Sequence, residues 1–447
     1  MRIENRPFPQ HAHQEYAVKP LMPANKTQEE IDNMIVAFFR KILLIDLIVD
    51  ENSPADKEEF RLIFRHFQSW GIEEQGLPVS HLTVSESHGY GMMMLALMAG
   101  SEEKLNLSGE QWIYNCDCLK DYFDAMLRTV LYFPCTATFK GENKLFTWEL
   151  MGNPPSDDNK TGYIEKDGKK IAPFKRRRED MGGCATDGDM DIIYGLLLAD
   201  KQWGSNGRYN YKQIALDMLG SLWRYCVHEE YFTLLVGDWA KERQGTLAHT
   251  TRSSDFILSH LKAYAEADPN HDWLRVAEAT YNVMKDIRDA ENSEGRKTGF
   301  LPDFVVRGEG RWVVPEGFVM ERNDHTYAHN SCRVPWRQGT DYLLYGNSKI
   351  GESSLWNYII EPLNTFAKSL GSLENFGPFN MDGTSSRFPD PHLFTPPFLV
   401  TAACGTDQAW VDELWGWAGL DEYREHNYAD YIKMLVMLTA SGNYWKP

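Results

Sequence analysis

The chain has 447 residues and a formal net charge of −18, from 46 Lys and Arg against 64 Asp and Glu. Hydrophobic residues at 43% and charged residues at 25% are ordinary globular usage and exclude a disordered chain. The acidic balance repels phosphate backbones, which excludes nucleic acid and an anionic membrane surface as general partners, but it tolerates a neutral polymer and attracts a cationic one.

No apolar run of ~18 residues occurs, so no transmembrane helix is expected. Residues Met1 to Ala17 are polar and hold no apolar signal region. The expected location is therefore cytoplasmic, or extracellular if a leader has been removed. Seven cysteines in so long a chain, with Cys116 and Cys118 in a CxC rather than a CxxC, predict free or buried thiols and no zinc framework. Aromatic residues reach 13%, and flat rings suit sugar faces as well as core packing.

Helical signals dominate from the start of the chain. Thr27 with Glu30 forms a capping-box pattern ahead of Ile31, Ile35, Phe38 and Phe39. Further helices are expected over 86–98, 111–131, 189–203, 211–225, 254–265, 272–289, 335–345, 352–369, 397–404, 406–417 and 428–440. Hairpins are expected over 138–146 and 304–314. About a dozen helices without an evident boundary predict one all-α toroid spanning residues 1–447, with residues 1–25 as an N-terminal extension. The long connections 133–185, 298–334 and 373–396 are the expected carriers of function.

Two segments concentrate candidate chemistry. In Ser85-Glu86-Ser87-His88-Gly89-Tyr90-Gly91-Met92 a carboxylate sits where an apolar helix begins, and Gly89 and Gly91 allow close approach by another chain or a ligand. Ser85 and Glu86 also suit a plain helix cap. In Ala185-Thr186-Asp187-Gly188-Asp189-Met190-Asp191 three acids alternate at the next helix entry, where they need solvent, hydrogen bonds or a cation. The spacing lacks the closing Glu of a calcium loop. Lys175-Arg176-Arg177-Arg178 reads as a solvated loop face, and His325, His329 and Cys332 do not make a metal site. No Gly-rich phosphate loop and no G-x-S-x-G elbow is present. No metal and no cofactor is expected.

The same two segments resemble the signatures of glycoside hydrolase family 8, an E-x-x-G-Y-G-M pattern and an A-[ST]-D-[AG]-D pattern running on to Trp203. Ile193 and Gly195 depart from the second, where small Ala or Ser is usual. Thr251-Arg252-Ser253-Ser254-Asp255-Phe256 is similar to the family's R-x-S-D segment. Asn330-Ser331-Cys332-Arg333-Val334-Pro335-Trp336-Arg337 is similar to its [DN]-A-C-R-x-P-W-R segment, and Asp407-Gln408-Ala409-Trp410 to a late N-Q-x-W element. The resemblance spans about Phe60 to Trp417 and implies an (α/α)₆ barrel, in agreement with the helix count.

It also implies an inverting hydrolase with Glu86 as general acid and Asp187 holding the sugar at the cleavage site. An inverting enzyme needs a second, ionised carboxylate across the groove. One branch of the family carries Asp as this base at position 330. Asn330 cannot take a proton, so the resemblance moves to the branch of chitosanases and β-glucanases, whose base is a Glu on an inserted loop. Glu321 is the expected base, with Glu316 and Asp324 as alternatives. The matching segments offer Tyr90, Trp148, Trp239, Tyr327 and Trp336 as sugar platforms, and Arg252, Asn330 and Arg333 as polar contacts. The expected activity is endo-hydrolysis of β-1,4 bonds in chitosan or β-glucan by a monomer. A reducing-end exo-oligoxylanase and a catalytically dead sugar-binding barrel are the alternatives.

Overall fold

A computed structural model describes residues 4–447 apart from 12–14, 67–72, 75–76, 79, 110, 137–141, 155, 157, 160, 177–181, 242–244, 321–322 and 351–352. Twelve helices of seven or more residues are found among the described residues, and they alternate in character along the chain. Those at odd positions are α1 (Gln28–Asp46), α3 (Leu119–Tyr132), α5 (Tyr211–Cys226), α7 (Trp273–Ser293), α9 (Glu361–Ser369) and α11 (Gln408–Gly416). Each buries one face and leaves polar residues on the other, as the outer layer of a two-layer fold requires.

The even positions are α2 (Ser85–Met98), α4 (Thr186–Trp203), α6 (Leu258–Ala267), α8 (Val334–Tyr345), α10 (Pro397–Ala403) and α12 (Asn427–Ala440). These are covered on nearly every side; all of α10 is buried, and in α12 only Tyr428 is not. Helices apolar all round belong in the interior. Successive inner helices pack on one another from α2 through α12, and α12 packs back on α2. That closes the ring of an (α/α)₆ barrel.

Local chemistry explains the helix starts. Thr27 and Glu30 form the expected reciprocal capping box on α1. Asn210, Asp272 and Asp407 accept from the third residue of α5, α7 and α11. The helix expected over 111–131 begins only at Leu119, because Trp112 to Cys118 form a short 3₁₀ turn and an extended stretch. The hairpin at 304–314 forms, as β8 (Phe304–Arg307) and β9 (Trp312–Val313), and β7 (Thr250–Arg252) joins it. The one expected at 138–146 falls partly on residues 138–141, which lie outside the described residues; on its described flank Pro134 bridges Phe146 and the Cys135 amide donates to the Leu145 carbonyl. A four-stranded sheet, in the order β2 (Leu62–Phe64), β1 (Leu47–Asp50), β6 (Lys169–Ala172), β5 (Ile164–Lys166), pairs β1 with β6 in parallel across a long sequence gap. The pair β3 (His81–Val84) and β4 (Glu149–Met151) leads directly into α2.

The N-terminal segment crosses the C-terminal ends of the inner helices. The amides of Asn5, Phe8, Val18 and Leu21 donate to the carbonyls of Gln202, Ala99, Leu343 and Ala403. Phe8 and Tyr16 are buried there, and Trp445 near the other terminus lies under the Arg6 guanidinium. This floor lies opposite the end at which α2, α4, α6 and α8 begin.

Candidate active site

The two glycine-rich segments do one structural job together. A Cβ on Gly89 would lie 2.6 Å from the Asp191 Cβ and 3.0 Å from the Gly188 carbonyl, and one on Gly195 would lie 3.1 Å from the Met92 Cβ. Helices α2 and α4 therefore touch backbone to backbone. Gly195, the departure from the family pattern, is part of that contact. The close approach brings the first turns of both helices side by side, with Glu86 on one and Asp187 on the other.

One guanidinium joins them. Arg333, fully buried in the turn before α8, donates from Nη1 to the Glu86 carboxylate and to Asp187 Oδ2 at 3.1 Å. Arg252, at the end of β7, donates to Asp187 Oδ1 at 2.6 Å and to Asp255 at 3.1 Å. The two acids end in opposite states. Burial pushes Glu86 up to about 7; the neighbouring Asp187 charge adds to this, and Arg333 only partly opposes it. Burial also acts on Asp187, but the guanidiniums of Arg252 and Arg333 outweigh it and leave the carboxyl at about 2. One carboxyl is able to hold a proton near neutral pH and the other stays charged, a separation suited to an acid and an electrostatic role. The Glu86 side chain is also the more open, at 15% exposure against 1% for Asp187.

The other two acids of the alternating triad face elsewhere, because residues two apart on a helix point to different sides. Asp189 accepts from the Phe146 amide at 2.7 Å, and burial raises it well above the usual carboxylate range. Asp191 turns inward to His260 Nε2 at 2.9 Å and Arg337 at 2.6 Å. Both are structural.

Asn330 is held on both sides. Its amide oxygen accepts from Arg333 Nη2 at 3.2 Å, and its NH₂ donates to Asp303 at 3.3 Å. Asp303, absent from the sequence expectations, also accepts from the amides of Ala328, Asn330 and Ser331 and from the Ser331 hydroxyl. It fixes the turn that aims Arg333. The register pairing Phe304 with Arg252 sets Asp303 beside β7. Only a lone L-P-D-F stretch marks Asp303 in the sequence, and nothing in that stretch distinguishes it.

The aromatic candidates divide sharply. Trp148 is 40% exposed and lies between the two catalytic segments; its carbonyl accepts from Ser85 and its amide donates to Gly183. Trp239 is half-buried and donates its indole N–H to the Cys184 carbonyl at 3.2 Å. Both can present a ring to a ligand. Tyr90, Tyr327 and Trp336 cannot serve as platforms as expected, because all three are buried. Tyr327 stacks on Phe300 at 4.3 Å, Trp336 meets Tyr90 edge-on beneath Arg337, and the Tyr90 hydroxyl lies 3.4 Å from Arg333 Nη1.

For the second carboxylate, Glu321 lies outside the described residues. Asp324 is fully buried and accepts from the amides of Val319 and Met320 at 2.5 and 2.9 Å, so it shapes the loop and does not face the groove as a base. Glu316 is exposed on the same loop.

Alternating helices closed into a barrel, with a carboxyl raised to about 7 beside one lowered to about 2 at the mouth, suit acid–base chemistry on a bound substrate, and the comparisons supply the class. The description Glycosyl hydrolases family 8 matches residues 173–360, and the chain belongs to that family; it is a glycoside hydrolase. Among its relatives, a beta-glucanase of Niallia circulans is 31% identical over 445 residues, covering 99% of this chain and 91% of the relative. An endoglucanase of Bacillus sp. (strain KSM-330) is 28% identical over 454 residues, covering 99% and 82%. The solved apo structure of a beta-1,3-1,4-glucanase from Paenibacillus sp. X4 superposes with a TM-score of 0.78 at 30% identity, covering 99% of this chain and 100% of that one.

Proposed function

We propose that this chain is an inverting endo-β-glucanase, cutting β-1,4 bonds in mixed-linkage or cellulose-type glucan as a monomer. Glu86 is the general acid, Glu321 the general base, and Asp187 the group that holds the sugar at the scissile bond. The observation that carries this reading is the pairing of Glu86, raised to about 7, with Asp187, lowered to about 2, on the first turns of two touching helices. The glucanase names of the relatives support glucan over chitosan and xylan as substrate.

In the proposed reaction Glu86 gives its proton to the leaving glycosidic oxygen as the C–O bond breaks. Water attacks the anomeric carbon from the opposite face and loses its proton to the Glu321 carboxylate; inverting enzymes keep their two carboxyls about 6.5–9.5 Å apart to leave room for that water. Asp187 cannot share the proton-transfer step while two guanidiniums hold it ionised. Its fixed charge faces the positive charge that develops on the sugar ring. Trp148 and Trp239 supply flat surfaces on either side of Gly183 for neighbouring sugars.

Reducing-sugar release on lichenan, carboxymethyl-cellulose, chitosan and xylan, with NMR of the first product, tests the proposal. Fastest release on a glucan, a rapid fall in viscosity and an inverted anomeric centre are expected. Preferential cleavage of chitosan, release of single xylose units from reducing ends, or retained configuration would each overturn it.

A further inference from the structure

Behind the Asp187 turn lies a buried group of sulfur ligands that the glycosidase reaction does not use. Cys135, on the connection after α3, Cys184, two residues before α4, and Asp238 each offer a ligand atom, and these atoms all lie within 4.8 Å of one another. Cys226, the last residue of α5, places its Sγ 3.6 Å from that of Cys184. All four side chains are buried. A disulfide needs its sulfurs at about 2.05 Å, so Cys184 and Cys226 are separate thiols.

We propose that Cys135, Cys184 and Asp238 hold one thiophilic divalent cation of the zinc type, with the Cys226 thiol beside Cys184 as a neighbour outside the converging set. The surroundings are those of a supported metal site. The Asp238 amide donates to Cys184 Sγ at 3.2 Å, and the Cys184 amide donates to Asp238 Oδ1 at 2.8 Å. Asn143 donates to Asp238 Oδ2 at 2.9 Å, so both carboxylate oxygens are oriented from outside, as metal ligands are. The segments approach closely because two glycines permit it; a Cβ on Gly237 would lie 2.5 Å from the Cys184 carbonyl, and one on Gly183 2.7 Å from the Trp239 ring.

Each coordinating thiol gives its proton to solvent as its sulfur–cation bond forms, and no electron moves. Two thiolates and the Asp238 carboxylate then face the two positive charges and leave one negative charge on the loaded site. The bound cation ties the chain before Asp187 to the connection after α3 and to the Trp239 loop. Thr186 already binds that loop through its hydroxyl to the Leu235 carbonyl at 2.5 Å. The cation therefore fixes the groove wall from behind and touches no substrate.

The other sulfur-bearing group among the described residues, Asp117, Cys118 and Asp121, serves as the control. It is more open, and Lys57 already occupies its carboxylates at 3.3 and 2.9 Å. The whole chain is produced in media supplemented with zinc, cobalt or cadmium, so that loading accompanies folding. One metal per chain is expected, with the sulfur-to-metal charge-transfer band of the cadmium form, the visible bands of tetrahedral cobalt and a Tm above that of chelator-treated protein. Cys135→Ser and Cys184→Ser should lower the bound metal at least tenfold, and Cys118→Ser should leave it unchanged. Folded wild-type protein without stoichiometric metal or the band overturns the proposal. So does a band that survives in both Cys135→Ser and Cys184→Ser, or a disulfide within the group in freshly isolated protein.

Discussion

At the mouth of the barrel, the first turns of α2 and α4 and the turn before α8 carry Glu86, Asp187 and Arg333 into one buried charged knot. At the floor, where the same inner helices end, Asn5, Phe8, Val18 and Leu21 lay amides on terminal carbonyls, and Phe8 and Tyr16 are buried there. The helix ends at the floor are satisfied by neutral hydrogen bonds, which stabilise without titrating. The mouth keeps ions that cost desolvation free energy and are retained only by mutual pairing. One end of each helix thus stabilises the fold, and the other carries the reaction.

Substitutions should separate these two ends. Glu86→Gln is expected to lower kcat by about 10² to 10⁴-fold, the usual worth of a positioned general acid, with little change in Tm below pH 4.5, where the carboxyl it replaces is uncharged in the fold; steady-state kinetics on lichenan beside thermal melts checks both. Phe8→Ala should do the reverse, costing about 3–5 kcal/mol by the cavity it leaves, with kcat intact at temperatures where the protein stays folded. Unchanged stability in that variant would show that the floor does not hold the ring.

Gly89→Ala sharpens the comparison, because it acts on both properties at once. Its new methyl meets the Asp191 side chain and the Gly188 carbonyl, so a loss of about 1–3 kcal/mol is expected from overpacking. The accompanying shift of Glu86 against Asp187 should lower kcat more than it raises KM.

The smallest effects come from pH. Activity should fall as pH rises through about 7, where Glu86 loses its proton. Its folded value lies above the ordinary 4.5, so charging this carboxyl also costs stability progressively between pH 4.5 and about 7. Asp187 has the opposite sign. Held at about 2 against an ordinary 3.8, it stabilises the fold above pH 3.8, and that contribution fades as pH falls toward 2. Glu86→Gln should remove the upper part of the stability profile and leave the acid part unchanged.

Much of the mouth was legible in the sequence, because its constraints are local. Glycines beside an acid at a helix start point to a close contact there, and the structure has that contact between α2 and α4; the roles expected of Glu86 and Asp187 come from the family resemblance and not from the glycines. The alternation of inner and outer helices follows from which segments are amphipathic. What escaped depends on separations along the chain. Asp303 reaches Asn330 and Ser331 across a loop, and Cys135, Cys184 and Cys226 stand far apart until the barrel closes. Tyr327 and Trp336 were misjudged because ring chemistry is the same in a core and on a groove wall; only packing decides. Asp324 was open to two readings until its bonds to the Val319 and Met320 amides gave it a loop-shaping role.

The closure of α12 on α2 has a consequence for synthesis. α2, apolar on almost every side, is made well before α12, the wall that closes over it. Until α12 is made, α2 presents uncovered methionines and leucines. The nascent chain is therefore exposed to aggregation over that interval, and the ring is complete only once α12 has docked.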